Sequence, residues 1–247
     1  MRHHIPHLET SSIPWNTPRP GTSAKLLSIN ESKPGSTVLL CFDPEAGYQD
    51  QPSPHYHEGL EELLILSGRL SFDSRTWLHR GGYVFHPPKF VHGFKSKVPE
   101  RTVLLARTEG PIESQFIRHE DALDDYPYFI GSKPSTRALA MVPSPWAFSP
   151  TIIESAVGKI RQFIYSEDKA TSTITLLREY SSGSQELAPN PVSDGMVEEV
   201  FVLSGELTDV NGVVFKEGDF ACFPAGTERP AFTANAFSQV VHSVFAD

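Results

Sequence analysis

The chain has 247 residues, 21 Lys and Arg against 30 Asp and Glu, and a formal charge of −9 at neutral pH. That length allows one large or two small domains with a core needing no staples. The acidic balance, without a basic stripe, argues against nucleic acid as a partner, and no apolar run approaches the ~20 residues of a membrane span.

Met1 to Pro6 holds no apolar leader stretch, and two cysteines, Cys41 and Cys222, are too few for a disulfide framework, so a reduced cytoplasmic setting is expected. The first twenty-two residues carry Pro6, Pro14, Pro18 and Pro20 and read as an extended arm draped over a neighbouring surface. Beyond them, 21 Pro, 17 Gly and 16 Phe favour strands and turns. Strands are expected over Ser36–Phe42, Glu62–Ser67, Tyr83–His86 and Thr102–Arg107, with turns at Asp43–Gly47 and Gly81–Gly82. The connector from Gly110 to Pro134 fits a short helix over Ile112–Leu123, and its acidic stretch His119–Asp125 reads as solvated surface. A second set of strands follows over Ser172–Glu179, Glu199–Leu203, Phe220–Phe223 and Gln239–Phe245.

The two sets are copies. Glu61 to Gly68 returns as Glu198 to Gly205, and Gly81, Pro87 and His92 align with Gly218, Pro224 and Arg229, all at an offset of 137. Ser36 to Val38 matches Ser172 to Ile174 one residue out of step. This predicts two β domains, residues 1–125 and 135–247, each a sandwich or barrel.

Side chains two apart in a strand share a face, so His55, His57 and Glu61 point one way with Leu63 and Ile65, while Tyr56 and Glu62 point away, toward surface or between sheets. Imidazoles and a carboxylate converging in an apolar interior are unfavourable unless compensated, and a divalent cation compensates them. His92, after the turn at Pro87, offers a third imidazole. In the second copy Val192, Asp194 and Arg229 replace the histidines while Glu198 remains. A metal-free site with an Arg229–Glu198 ion pair is expected there, a scaffold half, with an anion pocket around Arg229 as the alternative. His86 is a candidate acid, base or supporting group, and Phe42, Phe85 and Phe94 are candidate substrate contacts. Lys89 and Arg107 could meet an anionic substrate near the barrel mouth.

The pattern resembles the cupin superfamily. His55, His57, Glu61 and Gly68 fit its first motif, and Gly81, Pro87 and His92 fit its second. Lys89 stands where that family has a glycine of unusual conformation, which bears on the turn's geometry. Glu198 to Leu207, followed by Gly218 to Thr227, resembles the ChrR-type cupin domain. The resemblance implies an all-β protein of two tandem double-stranded β-helix (jelly-roll) barrels, a bicupin, with one divalent ion on His55, His57, Glu61 and His92. Iron, manganese, nickel, cobalt and zinc all suit that set. Four protein ligands leave an octahedral ion two adjacent positions. The expected function is therefore a metal-dependent enzyme, dioxygenase-like, acting on a small aromatic, diketone or enol substrate. Alternatives are a Lewis-acid isomerase, lyase or decarboxylase, and a non-catalytic ChrR-like metal sensor. A homodimer stays open, because the face carrying Leu64 and Leu66 needs covering.

Overall fold

The computed structural model describes the chain except residues 51–52, 119–127, 132–136 and 146–148. Among the described residues there is no α-helix, only strands and two single-turn 3₁₀ segments, so none is long and apolar enough to cross a membrane. The residues separate into two compact units: Trp15–Ile29 with Lys33–Ala147, here the N-terminal unit, and Met1–Pro14, Asn30–Ser32 and Phe148–Asp247, the C-terminal unit. The first strand, β1 (Ile5–Leu8), belongs to the C-terminal unit.

The N-terminal unit contains β2 (Asn16–Arg19), β3 (Thr22–Ile29), β4 (Gly35–Phe42), β5 (His55–Tyr56), β6 (Leu60–Ser67), β7 (Tyr83–His86), β8 (Phe90–Val91), β9 (Thr102–Glu109), β10 (Gln115–Phe116), β11 (Tyr128–Phe129) and β12 (Ala140–Val142). Seven of these form one antiparallel sheet in the order β12-β7-β6-β9-β4-β3-β2. Leu63, Ile65, Leu70, Leu78, Val84, Val98, Leu104 and Ala106 form its core, with Val38, Leu40 and Phe42 of β4 packed against them. Thr37, Leu39 and Cys41, of opposite parity in β4, are buried too, so both faces of that strand are covered. The helix expected over Ile112–Leu123 does not form where it is described. Gln115 and Phe116 instead make β10, paired with Tyr56 and His55 of β5, and residues 119–123 lie outside the described residues.

The C-terminal unit adds β13 (Thr151–Ile153), β14 (Ile160–Asp168), β15 (Thr173–Tyr180), β16 (Asn190–Pro191), β17 (Met196–Ser204), β18 (Glu206–Asp209), β19 (Val214–Lys216), β20 (Phe220–Pro224), β21 (Glu228–Arg229), β22 (Phe232–Ala234) and β23 (Ser238–Ala246). Its large sheet runs β1-β20-β17-β23-β15-β14-β13. The sequence repeat has a physical counterpart in each unit. The β6–β9 ladder slips between Ile65 and Ser67, and the β17–β23 ladder slips between Val202 and Ser204. The glycine ending each repeat has a positive φ, +73° at Gly68 and +87° at Gly205. A Cβ there would come within 2.4 Å of the carbonyl oxygen of Arg101 or Phe237, respectively, so only glycine fits after each bulge.

The expected boundary at residue 1 is corrected by β1. Ile5 and Leu8 pair with Cys222 and Phe220 of β20. The Arg2 guanidinium sits 3.5 Å from Glu199 and 5.1 Å over the Phe245 ring. Thr10 donates to the Gly218 carbonyl at 2.6 Å. The arm thus forms an edge strand of the C-terminal unit, held by ladder bonds and a buried cation.

Candidate metal centre

The site is built by one hairpin-like closure in the N-terminal unit. His55 and His92 exchange backbone hydrogen bonds of 3.0 and 2.9 Å across an antiparallel bridge, bringing the two motifs together. The turn after Pro87 is pinned by Lys89, whose N–H donates to the His57 carbonyl at 2.8 Å. Lys89 has φ +61°, so the left-handed turn that glycine would supply is kept without glycine. Its ammonium lies 3.5 Å from Glu58 on the surface. Glu61 of β6 stands opposite His86 of β7.

The ring centroids of His55, His57 and His92 lie 4.4 to 5.3 Å apart, and one ligating atom from each falls within 4.8 Å of the others. Glu61, His86 and His92 form a second, overlapping group at the same limit. The Glu61 carboxylate is 3.7 Å from Nε2 of His92 and 3.0 Å from Nδ1 of His86. Expected donors His55, His57, Glu61 and His92 are therefore brought together, with His86 joined to the carboxylate.

The donors suit a cation. His55 and His92 each give Nδ1–H to a carbonyl, of Ser53 and Phe90 respectively, both at 2.9 Å. A carbonyl only accepts, so Nδ1 carries the proton and Nε2 of the neutral ring keeps its lone pair. Nδ1 of His57 is buried without a partner. Burial lowers the pKa of His55 and pushes that of His92 well below the ordinary imidazole range, aided at His92 by the neighbouring His86. Burial alone would raise the Glu61 carboxyl, but the hydrogen bond from His86 and the surrounding imidazoles bring it below the usual carboxylate range. Neutral imidazoles and an ionised carboxylate are the forms that bind a divalent metal.

Glu62, expected at the surface or between sheets, is buried at 3 % exposure. Its carboxylate takes Arg107 at 2.5 Å, Arg137, and the Tyr83 hydroxyl at 2.6 Å. Burial would raise its pKa, but the Arg107 and Arg137 guanidiniums hold it at about 2. Arg107 therefore faces Glu62 on the far side of β6 and does not stand at the barrel mouth. Phe85, paired in register with Glu62, shares that face, and the Arg137 guanidinium lies 4.2 Å over its ring. It lines neither cavity described here, which corrects its expected substrate role.

A cavity of about 270 Å3 opens onto His55, His57, Glu61 and His92, walled by Phe42, Tyr48, Leu63, Leu70, Phe72 and Leu104. Phe42 lines this cavity, whereas Phe94 lines a neighbouring cavity with His86. Sequence reasoning missed Phe72, which borders both cavities, because the Gly68–Gly81 segment lacks strand periodicity.

In the C-terminal unit the corresponding positions hold an ion-pair cluster. Arg229 reaches Glu198 at 2.8 Å and Glu186 at 2.7 Å, while His242 and Asn190 each bond Glu198 at 2.9 Å. Arg178 and the Tyr180 hydroxyl also bond Glu186, both at 2.9 Å. The Arg229–Glu198 pair anticipated from the repeat is present. Two buried carboxylates answer this guanidinium, so an anion pocket around it has no spare charge to offer. Asp194 is exposed and Val192 is buried.

The strand order is that of an all-β, cupin-like jelly-roll fold. Residues 6–113 match the family described as the ChrR cupin-like domain. Among solved structures, a candidate dioxygenase from Nostoc punctiforme superposes with a TM-score of 0.72 at 13% identity, over 98% of this chain and 82% of that one. Oxalate decarboxylases align as well. The Lactobacillus farciminis enzyme gives 0.59 at 11% identity over 99% and 86%, and that of Bacillus subtilis 0.57 at 12% over 98% and 76%. No curated protein matches the chain in sequence.

Proposed function

We propose that this chain is a metal-dependent cupin enzyme, a bicupin whose N-terminal unit holds one divalent ion on His55, His57, Glu61 and His92 and acts, dioxygenase-like, on a small substrate. The observation that carries this reading is the donor set itself. Two imidazoles have Nδ1 committed to carbonyls, a third has an unmatched buried nitrogen, and an ionised carboxylate stands between His92 and His86. A divalent ion there would supply Lewis acidity and adjacent open positions for substrate oxygens, and a redox-active one would also supply electrons to dioxygen.

The chain's own residues do the rest. His86 holds Glu61 in place through its Nδ1–H. Phe42, Leu63, Leu70 and Leu104 give the cavity an apolar wall that suits the body of an aromatic, enol or diketone substrate, while Arg19, Ser71, Ser96 and Lys97 in the same lining offer polar contacts to its oxygens. The C-terminal unit, with arginine in place of a donor, serves as scaffold. The fold likeness to a candidate dioxygenase supports this choice, and the likeness to oxalate decarboxylases keeps a Lewis-acid decarboxylase or lyase as the second reading.

Oxygen uptake by the iron(II)-loaded chain, measured against a panel of phenols and diketones, tests the proposal. Uptake that requires both substrate and iron is expected. No uptake across the panel, with zinc found in protein from its native source, overturns the dioxygenase reading in favour of the Lewis-acid one.

A further inference from the structure

The donor cavity of the N-terminal unit carries cations of its own. Arg19 and Lys97, both exposed residues at its rim, line it together with a single carboxylate, Glu61, among the described residues. We propose that this cavity takes a single-ring aromatic or enol carboxylate, its acid group held by the Arg19 guanidinium with the Lys97 ammonium beside it. The inference rests on the metal-dependent reading above and narrows its substrate to an acid.

Arg19 is placed by a tight turn. It pairs in register with Thr22, and the two residues between them, Pro20 and Gly21, join β2 to β3. Pro20 fixes its own φ, and Gly21 takes the left-handed position at φ +66°. A Cβ on Gly21 would lie 1.9 Å from the Tyr48 nitrogen, and the Gly21 carbonyl accepts from the Asp43 N–H at 2.8 Å. The turn is thereby seated on the Asp43–Tyr48 segment, and Tyr48 lines the cavity. Nε of Arg19 donates to the Thr22 hydroxyl at 3.2 Å. The guanidinium's outer N–H groups have no acid partner among the described residues, and they form a planar fork that matches a carboxylate.

Lys97 is fixed through its backbone, which exchanges hydrogen bonds of 2.8 and 3.0 Å with Ser71 across an antiparallel bridge. Its ammonium also has no acid partner among the described residues. The nearby acids are engaged elsewhere. Asp50 accepts from the Val98 N–H at 2.8 Å and Asp43 from the Glu45 N–H at 3.0 Å, and neither lines the cavity. Burial, with Asp50, raises the Tyr48 hydroxyl's pKa against the pull of Arg19, so that phenol stays protonated. Two cations against one carboxylate favour an anion, and a divalent ion on the donors would add to that bias. Lys89 and Arg107, which the sequence offers for an anionic substrate, face Glu58 and Glu62 instead. The volume is near the lower end for ligand pockets, which suits one ring against Phe42 and Leu104.

The zinc-loaded full-length chain is titrated calorimetrically with salicylate and with its neutral counterpart salicylamide, and metal content is measured in parallel. Salicylate is expected to bind about tenfold more tightly than salicylamide. Arg19→Gln is expected to weaken salicylate about tenfold and Lys97→Gln about threefold, with salicylamide affinity and zinc content unchanged. Arg19→Lys, which keeps the charge without the fork, is expected to recover part of the loss. Equal affinity for the two ligands, or a salicylate preference untouched in the Arg19→Gln, Lys97→Gln double variant, overturns the proposal and leaves the metal reading standing. A chain that binds no zinc yet prefers salicylate, with the preference lost in Arg19→Gln, instead overturns the metal reading and leaves the acid subsite.

Discussion

Replacing Arg229 by methionine tests whether one guanidinium neutralises the buried acids of the C-terminal unit. Arg229 is 2 % exposed and lies 2.8 Å from Glu198 and 2.7 Å from Glu186. At an effective dielectric of about 20, one full charge pair at such a distance is worth roughly 6 kcal/mol before desolvation is counted. Part of the attraction survives the substitution, because Arg178 still faces Glu186 at 2.9 Å and His242 still bonds Glu198 at 2.9 Å. Removing one partner of a buried pair lowers stability by about 3–5 kcal/mol, and that loss is expected at neutral pH. Urea unfolding followed by far-ultraviolet circular dichroism measures it. The companion Arg229→Met with Glu198→Gln leaves Glu186 matched to Arg178 and removes the unanswered carboxylate, so it is expected to recover at least half of the loss. A single-variant loss below about 1 kcal/mol, under the range for buried pairs, or a double variant no more stable than the single, refutes the reasoning.

In the N-terminal unit, His57→Ala or His92→Ala is expected to lose the bound divalent ion, while Asp194→Ala, at an exposed position of the C-terminal unit, keeps it; equal metal content in all three by elemental analysis counts against the site. Acid is expected to destabilise the C-terminal unit through His242. Burial, reinforced by Arg178, lowers its pKa from 6.5 to about 4, against the pull of Glu198. The unfolded chain therefore takes up the extra proton first, and stability falls as pH drops from about 6.5 toward 4. A urea midpoint that stays level across that window refutes this. Lys89→Gly is expected to stabilise the N-terminal unit by about 0.5–1 kcal/mol, because the left-handed backbone costs a side-chain-bearing residue roughly 1–2 kcal/mol and glycine's extra unfolded freedom returns part of it. Metal content should not change, and a loss of stability sinks the assignment of strain to that turn.

Strand alternation separated Glu61 from Glu62 in the sequence, and the register, Glu61 against His86 and Glu62 against Phe85, follows the same alternation. Parity tells which face a side chain takes, but not what lies over that face. Arg107 and Arg137, distant in sequence, decide that Glu62 is buried, so its environment was not legible. Phe85 was misplaced for the same reason. The repeat carried the glycines Gly68 and Gly205 because they are local, while the bulges before them show only in the ladders. The pairing of Ile5 with Cys222 joins residues at opposite ends of the chain and leaves no periodic trace. Lys89 broke the expected glycine pattern, yet the turn survived because its N–H bond to His57 holds it.

The place of β1 has a consequence for biosynthesis. Residues 5–8 leave the ribosome long before their partner strand, 220–224. Until then the leading segment has no ladder to join. A truncated product lacking it would present the bare rim of Phe220–Pro224 to solvent, an open template on which nascent copies could aggregate.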